Sequence, residues 1–162
     1  MICVHQVVLV DNDLDGNARK IQKLNQIGFS NNIKVSVNAG IALLYLQQQN
    51  ELLKDFTQLL IVNVDTPIMN GFEFLSELKN SKIVSTKNIM IAILSDNLTT
   101  SQMDKLKIMG IKHFIEEDFC VETLAKSVKK YFIKSCSENI TPGKASIKGL
   151  EGLQGSYASQ VA

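Results

Sequence analysis

Four short clusters of acidic, amide and hydroxyl side chains punctuate this chain: Asp11-Asn12-Asp13, Asn63 with Asp65, Ser95 with Asp96, and Glu116-Glu117. Each follows directly on an apolar, β-rich run. Carboxylates in such company can hold a hard divalent cation or act as nucleophiles. Taken singly, each residue is a loop residue or a helix cap, and the set acquires chemical meaning only if the fold gathers it in one place. Other chemistries lack their parts. The stretch Asp11-Asn12-Asp13-Leu14-Asp15-Gly16 is acidic with a single glycine, so it would repel the nucleotide phosphates that a glycine-rich loop cradles. The two histidines join no Ser/His/Asp order and no metal-ligand spacing.

The elements that would gather these clusters are readable. Runs at Gln6–Val10, Leu59–Val62, Ile89–Leu94 and His113–Ile115 are β-rich and bounded by polar or turn residues, as for strands buried on both faces of a parallel sheet. Ile33-Lys34-Val35-Ser36-Val37 alternates, which predicts an edge strand with one exposed face. Helical periods fill the intervals. Ala18, Ile21, Leu24 and Ile27 recur up to Gly28, and Ile41, Leu44 and Tyr45 define a second helix. Phe72, Leu75 and Leu78 define a third, ending before Asn80-Ser81-Lys82. A fourth opens at Thr100 or Ser101 and stops at Gly110. A fifth, capped by Asp118, buries Val121, Leu124, Ala125, Val128 and Phe132. This alternation predicts an α/β, doubly wound sheet with helices on both faces. Its functional crevice should lie beyond the carboxyl ends of the strands, where all four clusters fall.

Composition narrows the class. Hydrophobic residues at 45% and charged residues at 20% suit a globular domain. A net charge of +1 offers no field for a nucleic-acid or anionic-membrane partner. No apolar run approaches the ~18 residues that span a bilayer. Met1-Ile2-Cys3-Val4-His5 has no basic segment leading into a signal-peptide core. Cys3, Cys120 and Cys136 have neither disulfide-framework nor zinc spacing, so a reduced, cytoplasmic compartment is expected. Residues 1–134 are expected to form the domain. The Ser-, Gly- and Thr-rich stretch 135–162 is expected to be a disordered C-terminal tail, with no room for a DNA-binding output module. Its scattered Ile140, Ile147, Leu150, Leu153 and Tyr157 leave a docking peptide as the alternative.

Four segments carry a specific resemblance. VVLVDNDLDGN resembles the first strand and acidic pair of response-regulator receiver domains. LLIVNVDTPIMNGFEFL resembles their third strand, acceptor loop and third helix, with Pro67, Met69 and Gly71 at matching spacings. IMIAILSD resembles the fourth strand with its switch hydroxyl, and MGIKHFIEEDF the fifth strand and following loop. All four lie in order and in register over residues 5–133. The resemblance implies a flavodoxin-like five-stranded parallel sheet of order 2-1-3-4-5. It also implies a site in which two acidic residues and an acceptor aspartate hold Mg²⁺, while a hydroxyl and a lysine contact the transferred phosphate.

The chain departs from that pattern where the chemistry is done. The acceptor position is Asn63, and a carboxamide has no anionic oxygen with which to form an acyl phosphate. The second acidic position is Asn12, and the lysine position is Glu117, a reversed charge. The proline that usually follows is Asp118, so the family's cis bond there should be lost, since a non-proline cis peptide costs ~3 kcal/mol. Phe114 stands at the aromatic switch position without a hydroxyl. Asp11 and Ser95 survive.

The expectation is a receiver-like module of two-component (phosphorelay) signalling that is no enzyme, has no resident cofactor, and acts by protein–protein interaction. Mg²⁺ would bind weakly at Asp11, helped by Asp13 or Glu117, if at all. Asn63 is expected to donate its amide to Glu117 while its carbonyl accepts from Ser95 or a backbone N–H; the alternative is a Glu117 in water. The partner implied is a histidine kinase or another signalling protein. A homodimer would use the face at 100–132, where Lys105, Lys107, Lys112, Lys126, Lys129 and Lys130 give a basic tint. Two other readings compete: an active receiver using Asp65 or Asp13 as acceptor, and a small-molecule binder on the same scaffold.

Overall fold

The computed structural model describes residues 3–50, 56–81 and 88–138. Strands and helices alternate as β1 (Gln6–Val10), α1 (Leu14–Gln26), β2 (Ile33–Ser36), α2 (Ala39–Asn50), β3 (Gln58–Val62), α3 (Gly71–Asn80), β4 (Ile89–Leu94), α4 (Thr100–Ile108), β5 (His113–Ile115) and α5 (Val121–Glu138). The five strands are parallel, in the order β2-β1-β3-β4-β5. This is the flavodoxin-like arrangement expected from the alternation and the resemblance.

Side chains alternate across the central strands and feed two cores. Val8, Val10, Leu60, Val62 and Ile93 face α2, α3 and α4, meeting Leu43, Leu46, Phe74, Leu75, Leu78 and Leu106. Val7, Leu9, Leu59, Ile61, Met90 and Ala92 face α1 and α5, meeting Leu24, Leu124 and Val128. The edge strand β2 is partly exposed, as its alternation predicts. β5, expected to be buried on both faces, is only half-buried along its length, because it forms the other edge of the sheet.

Two helix faces differ from the sequence reading. In α2, Ile41 and Leu44 are each 61% exposed, and Ala42, Leu43 and Leu46 turn inward. The first two turns of this helix, Ala39 to Leu46, are apolar all round and give periodicity little contrast to work with. In α1, Ala18 is exposed, and the inward stripe is Gly16, Asn17, Lys20 and Leu24. Asp118 does not cap α5: the helix begins at Val121, and Asp118 pairs with Lys23 of α1. α5 runs on to Glu138, past the expected boundary at 134, and the remainder of the expected tail, 139–162, lies outside the described residues.

Candidate functional site

The carboxyl ends of β1 and β3 lie side by side, with Val10 opposite Val62. That register sets Asp11 beside Asn63, whose backbone N–H donates to Val10 O at 2.9 Å. Asp11 is only 1% exposed. Its Oδ1 accepts from Asn63 Nδ2 at 3.0 Å and from the backbone N–H of Asp13 at 3.2 Å. Asn17 Nδ2 donates to the Asp11 carbonyl at 2.8 Å, holding the backbone; Asn17 Oδ1 is buried without a partner.

The remaining oxygen of Asp11 meets a group the sequence reading did not single out. Lys20 Nζ lies 3.2 Å from Asp11 Oδ2 and 2.5 Å from Glu117 Oε2, and the Lys20 side chain is 1% exposed. Local structure explains how it arrives. Asp13 is the N-cap of α1, accepting from Gly16 N at 3.1 Å, so the helix starts directly after the strand. Helical side chains lean toward the N-terminus, and Lys20, four residues on, therefore lies over Gly16. A Cβ at Gly16 would stand 2.4 Å from Asp13 Oδ2 and 3.1 Å from Lys20 Nζ. The glycine keeps that path open. The positive end of the helix dipole opposes an ammonium here, and the Asp11 and Glu117 carboxylates offset it. In the sequence only its spacing of four residues from Leu24 pointed inward, and lysine ordinarily marks a solvated face.

The expected hydrogen bond from Asn63 to Glu117 does not form, because Asp11 takes the amide and Lys20 takes Glu117. The Asn63 carbonyl does accept from a backbone N–H, that of Asp65, at 3.0 Å. Glu117 is therefore neither Asn63's partner nor free in water. Ser95 turns away from Asn63; its N–H and its hydroxyl both donate to Ile115 O, at 2.9 and 3.1 Å. Asp96 Oδ2 accepts from Glu117 N at 2.9 Å. Phe114 is half-buried against the α3–α4 core. Asn12, Asp13 and Asp65 are exposed. No peptide bond among the described residues is cis. The cleft between Asn63, Asp96, Leu98 and Glu117 measures about 20 Å³, room for about one water.

Beside this cleft, Asp118 is exposed, and its carboxyl is held below the ordinary carboxylate range by a hydrogen bond and then the charge of Lys23.

The Mg²⁺ that the resemblance implies does not fit these residues. A hard dication requires several free oxygen ligands. Here one Asp11 oxygen is engaged by two N–H groups and the other by an ammonium, which would repel a dication. Among the described residues, no group of three or more His, Cys, Asp or Glu could hold a metal. Nor is any described helix long and apolar enough to cross a membrane.

No family model matches this chain. Transcriptional regulatory protein CrdR of Helicobacter pylori is 31% identical over 74 residues, 46% of this chain; the match spans 33% of that relative's length. Solved receiver structures superpose over most of the chain. The response regulator receiver protein of Dyadobacter fermentans has a TM-score of 0.67 at 17% identity, covering 78% of this chain and 97% of that one. Chemotaxis protein CheY4 of Vibrio cholerae gives 0.61 at 21% identity, covering 79% and 98%. The receiver domain of a Pseudomonas aeruginosa sensor histidine kinase, with a magnesium ion coordinated in its active-site cleft, gives 0.64 at 12% identity, covering 80% and 98%. The fold of this chain is that of response-regulator receiver domains.

Proposed function

We propose that this chain is a receiver module of two-component signalling that takes no phosphoryl group and acts by binding a protein partner in the cytoplasm. One observation carries the reading: the acceptor position is a carboxamide, Asn63, held on both sides by Asp11 and the Asp65 N–H. An amide offers no anionic oxygen to attack phosphorus. The neighbouring carboxylates are poor substitutes, since Asp13 is engaged as the cap of α1 and Asp65 stands outside the Asp11–Lys20–Glu117 network. The hydrogen bond from the Ser95 hydroxyl to Ile115 O in β5 supports a module that works from one conformation.

Its recognition surface is α4, β5 and α5. The expected lysines 105, 107, 112, 126, 129 and 130 are all exposed there, together with Ile108 at 87%. A histidine kinase or another signalling protein with an acidic face suits that surface, and a homodimer through it is the variant of this reading. The net charge of +1 favours neither nucleic acid nor an anionic membrane as a partner.

Intact mass after incubation with acetyl phosphate and Mg²⁺ tests the proposal. The natural protein should gain no phosphate. Glu117→Lys alone would set a second ammonium against Lys20, so the restored control is Asn63→Asp, Glu117→Lys, Lys20→Met, in which phosphate addition is expected. A hydroxylamine-labile phosphate on the natural chain would overturn the proposal and favour Asp65 or Asp13 as acceptor.

A further inference from the structure

We infer that the Lys20 ammonium is this domain's built-in cation, standing where a receiver of this fold would require a divalent metal, so that the crevice is loaded by the chain itself. Three observations carry the inference. The ammonium and the Asp11 carboxylate are each 1% exposed, so neither is a solvated surface group that happens to touch the other. The same nitrogen also reaches Glu117, tying the loop after β1 to the loop after β5. Those strands are separated by β3 and β4 in the sheet, so the two ion pairs link loops that no strand pairing joins. Gly16 provides the passage, because any side chain there would meet Asp13 and Lys20.

The charge reversal at position 117 then has a reason. A lysine in that loop would face the buried Lys20 ammonium at short range, which is unfavourable. A carboxylate there completes a three-member chain, Asp11–Lys20–Glu117. The cation has moved to α1, and the anion has moved to the β5 loop. This arrangement holds whichever protein the module binds and does not depend on the identity of the acceptor.

The test uses the whole natural chain and two variants, Lys20→Met and Lys20→Gln, with Mn²⁺ as a paramagnetic probe and Mg²⁺ as the physiological ion. In the natural protein, Mn²⁺ should leave the amide NMR signals around Asp11, Asn63 and Glu117 as sharp as those elsewhere. Selective broadening there overturns the inference. Each Lys20 variant should gain divalent-ion affinity by at least about tenfold. Its thermal midpoint should rise with Mg²⁺ but not with sodium chloride at equal ionic strength. Adding Glu117→Gln should remove the gain. Folded Lys20 variants that bind no better than the natural chain contradict the inference. Should neither variant fold, the Mn²⁺ spectrum of the natural protein decides by itself: silence supports, broadening overturns.

Discussion

The β1–β3 pair buries polar side chains at both ends, and the two ends are built differently. At the amino end, Gln58 Nε2 donates to Gln6 Oε1 at 2.8 Å, and Gln6 Nε2 donates to Tyr45 Oη at 2.6 Å. This is a neutral chain. At the carboxyl end, Asp11, Asn63, Lys20 and Glu117 form a charged one. A neutral buried network can be replaced as a block by apolar groups at little cost, because both partners lose their needs together. A buried ionic network carries the desolvation of each charge and becomes costly once a single member is removed. The amino end is therefore framework. The carboxyl end gathers charged groups where the strand ends meet, and each depends on its partners.

The largest effect expected from this contrast is at Lys20. Lys20→Met leaves the Asp11 carboxylate buried and uncompensated, and urea unfolding should show a loss of about 3–5 kcal/mol. A loss under about 1 kcal/mol would mean that the charged end is no costlier to break than an exposed pair. Next comes the neutral end. Gln58→Met alone strands the Gln6 amide carbonyl and should cost about 1–3 kcal/mol, whereas Gln6→Met with Gln58→Met should recover most of that loss. Failure of the double variant to recover would make the two ends alike. Glu117→Gln should cost about 1 kcal/mol or less by the same assay, because its side chain is 36% exposed and Lys20 keeps Asp11.

The smallest effect is at Asp118, outside the buried network. Lys23 depresses its folded-state pKa, so the stabilisation is present above the unfolded carboxylate pKa and is lost as pH falls through the folded value. The pair is exposed, so Asp118→Asn should barely move the urea midpoint at neutral pH, and added salt should erase what remains.

Much of this was legible in the residues, and the exceptions share a cause. Strand positions, helix order and the meeting of Asp11 with Asn63 follow from apolar runs whose polar successors fall at strand ends. The face of α2 was not legible, because Ile41, Ala42, Leu43, Leu44 and Leu46 are all apolar and which of them turn inward depends on the sheet beneath. Lys20 was not legible as a buried group, because lysine ordinarily marks a solvated face. Only knowledge that Gly16, Lys20 and Leu24 share the inward stripe, with Asp11 at its upper end, turns it into a site residue. The expected Asn63–Glu117 bond failed for the same reason: with Lys20 unseen, Glu117 lacked the partner that claims it.

The most direct test of a crevice closed by its own charges is a double-mutant cycle between Asp11→Asn and Lys20→Met, read by urea unfolding. Because Lys20→Met strands the buried Asp11 carboxylate, a penalty that Asp11→Asn removes, the account predicts strong coupling: the double variant should be more stable than the sum of the single losses implies, by about 2–3 kcal/mol. Additive losses, within about 0.5 kcal/mol, would contradict it, because they would mean that Lys20 and Asp11 share the crevice without holding it shut.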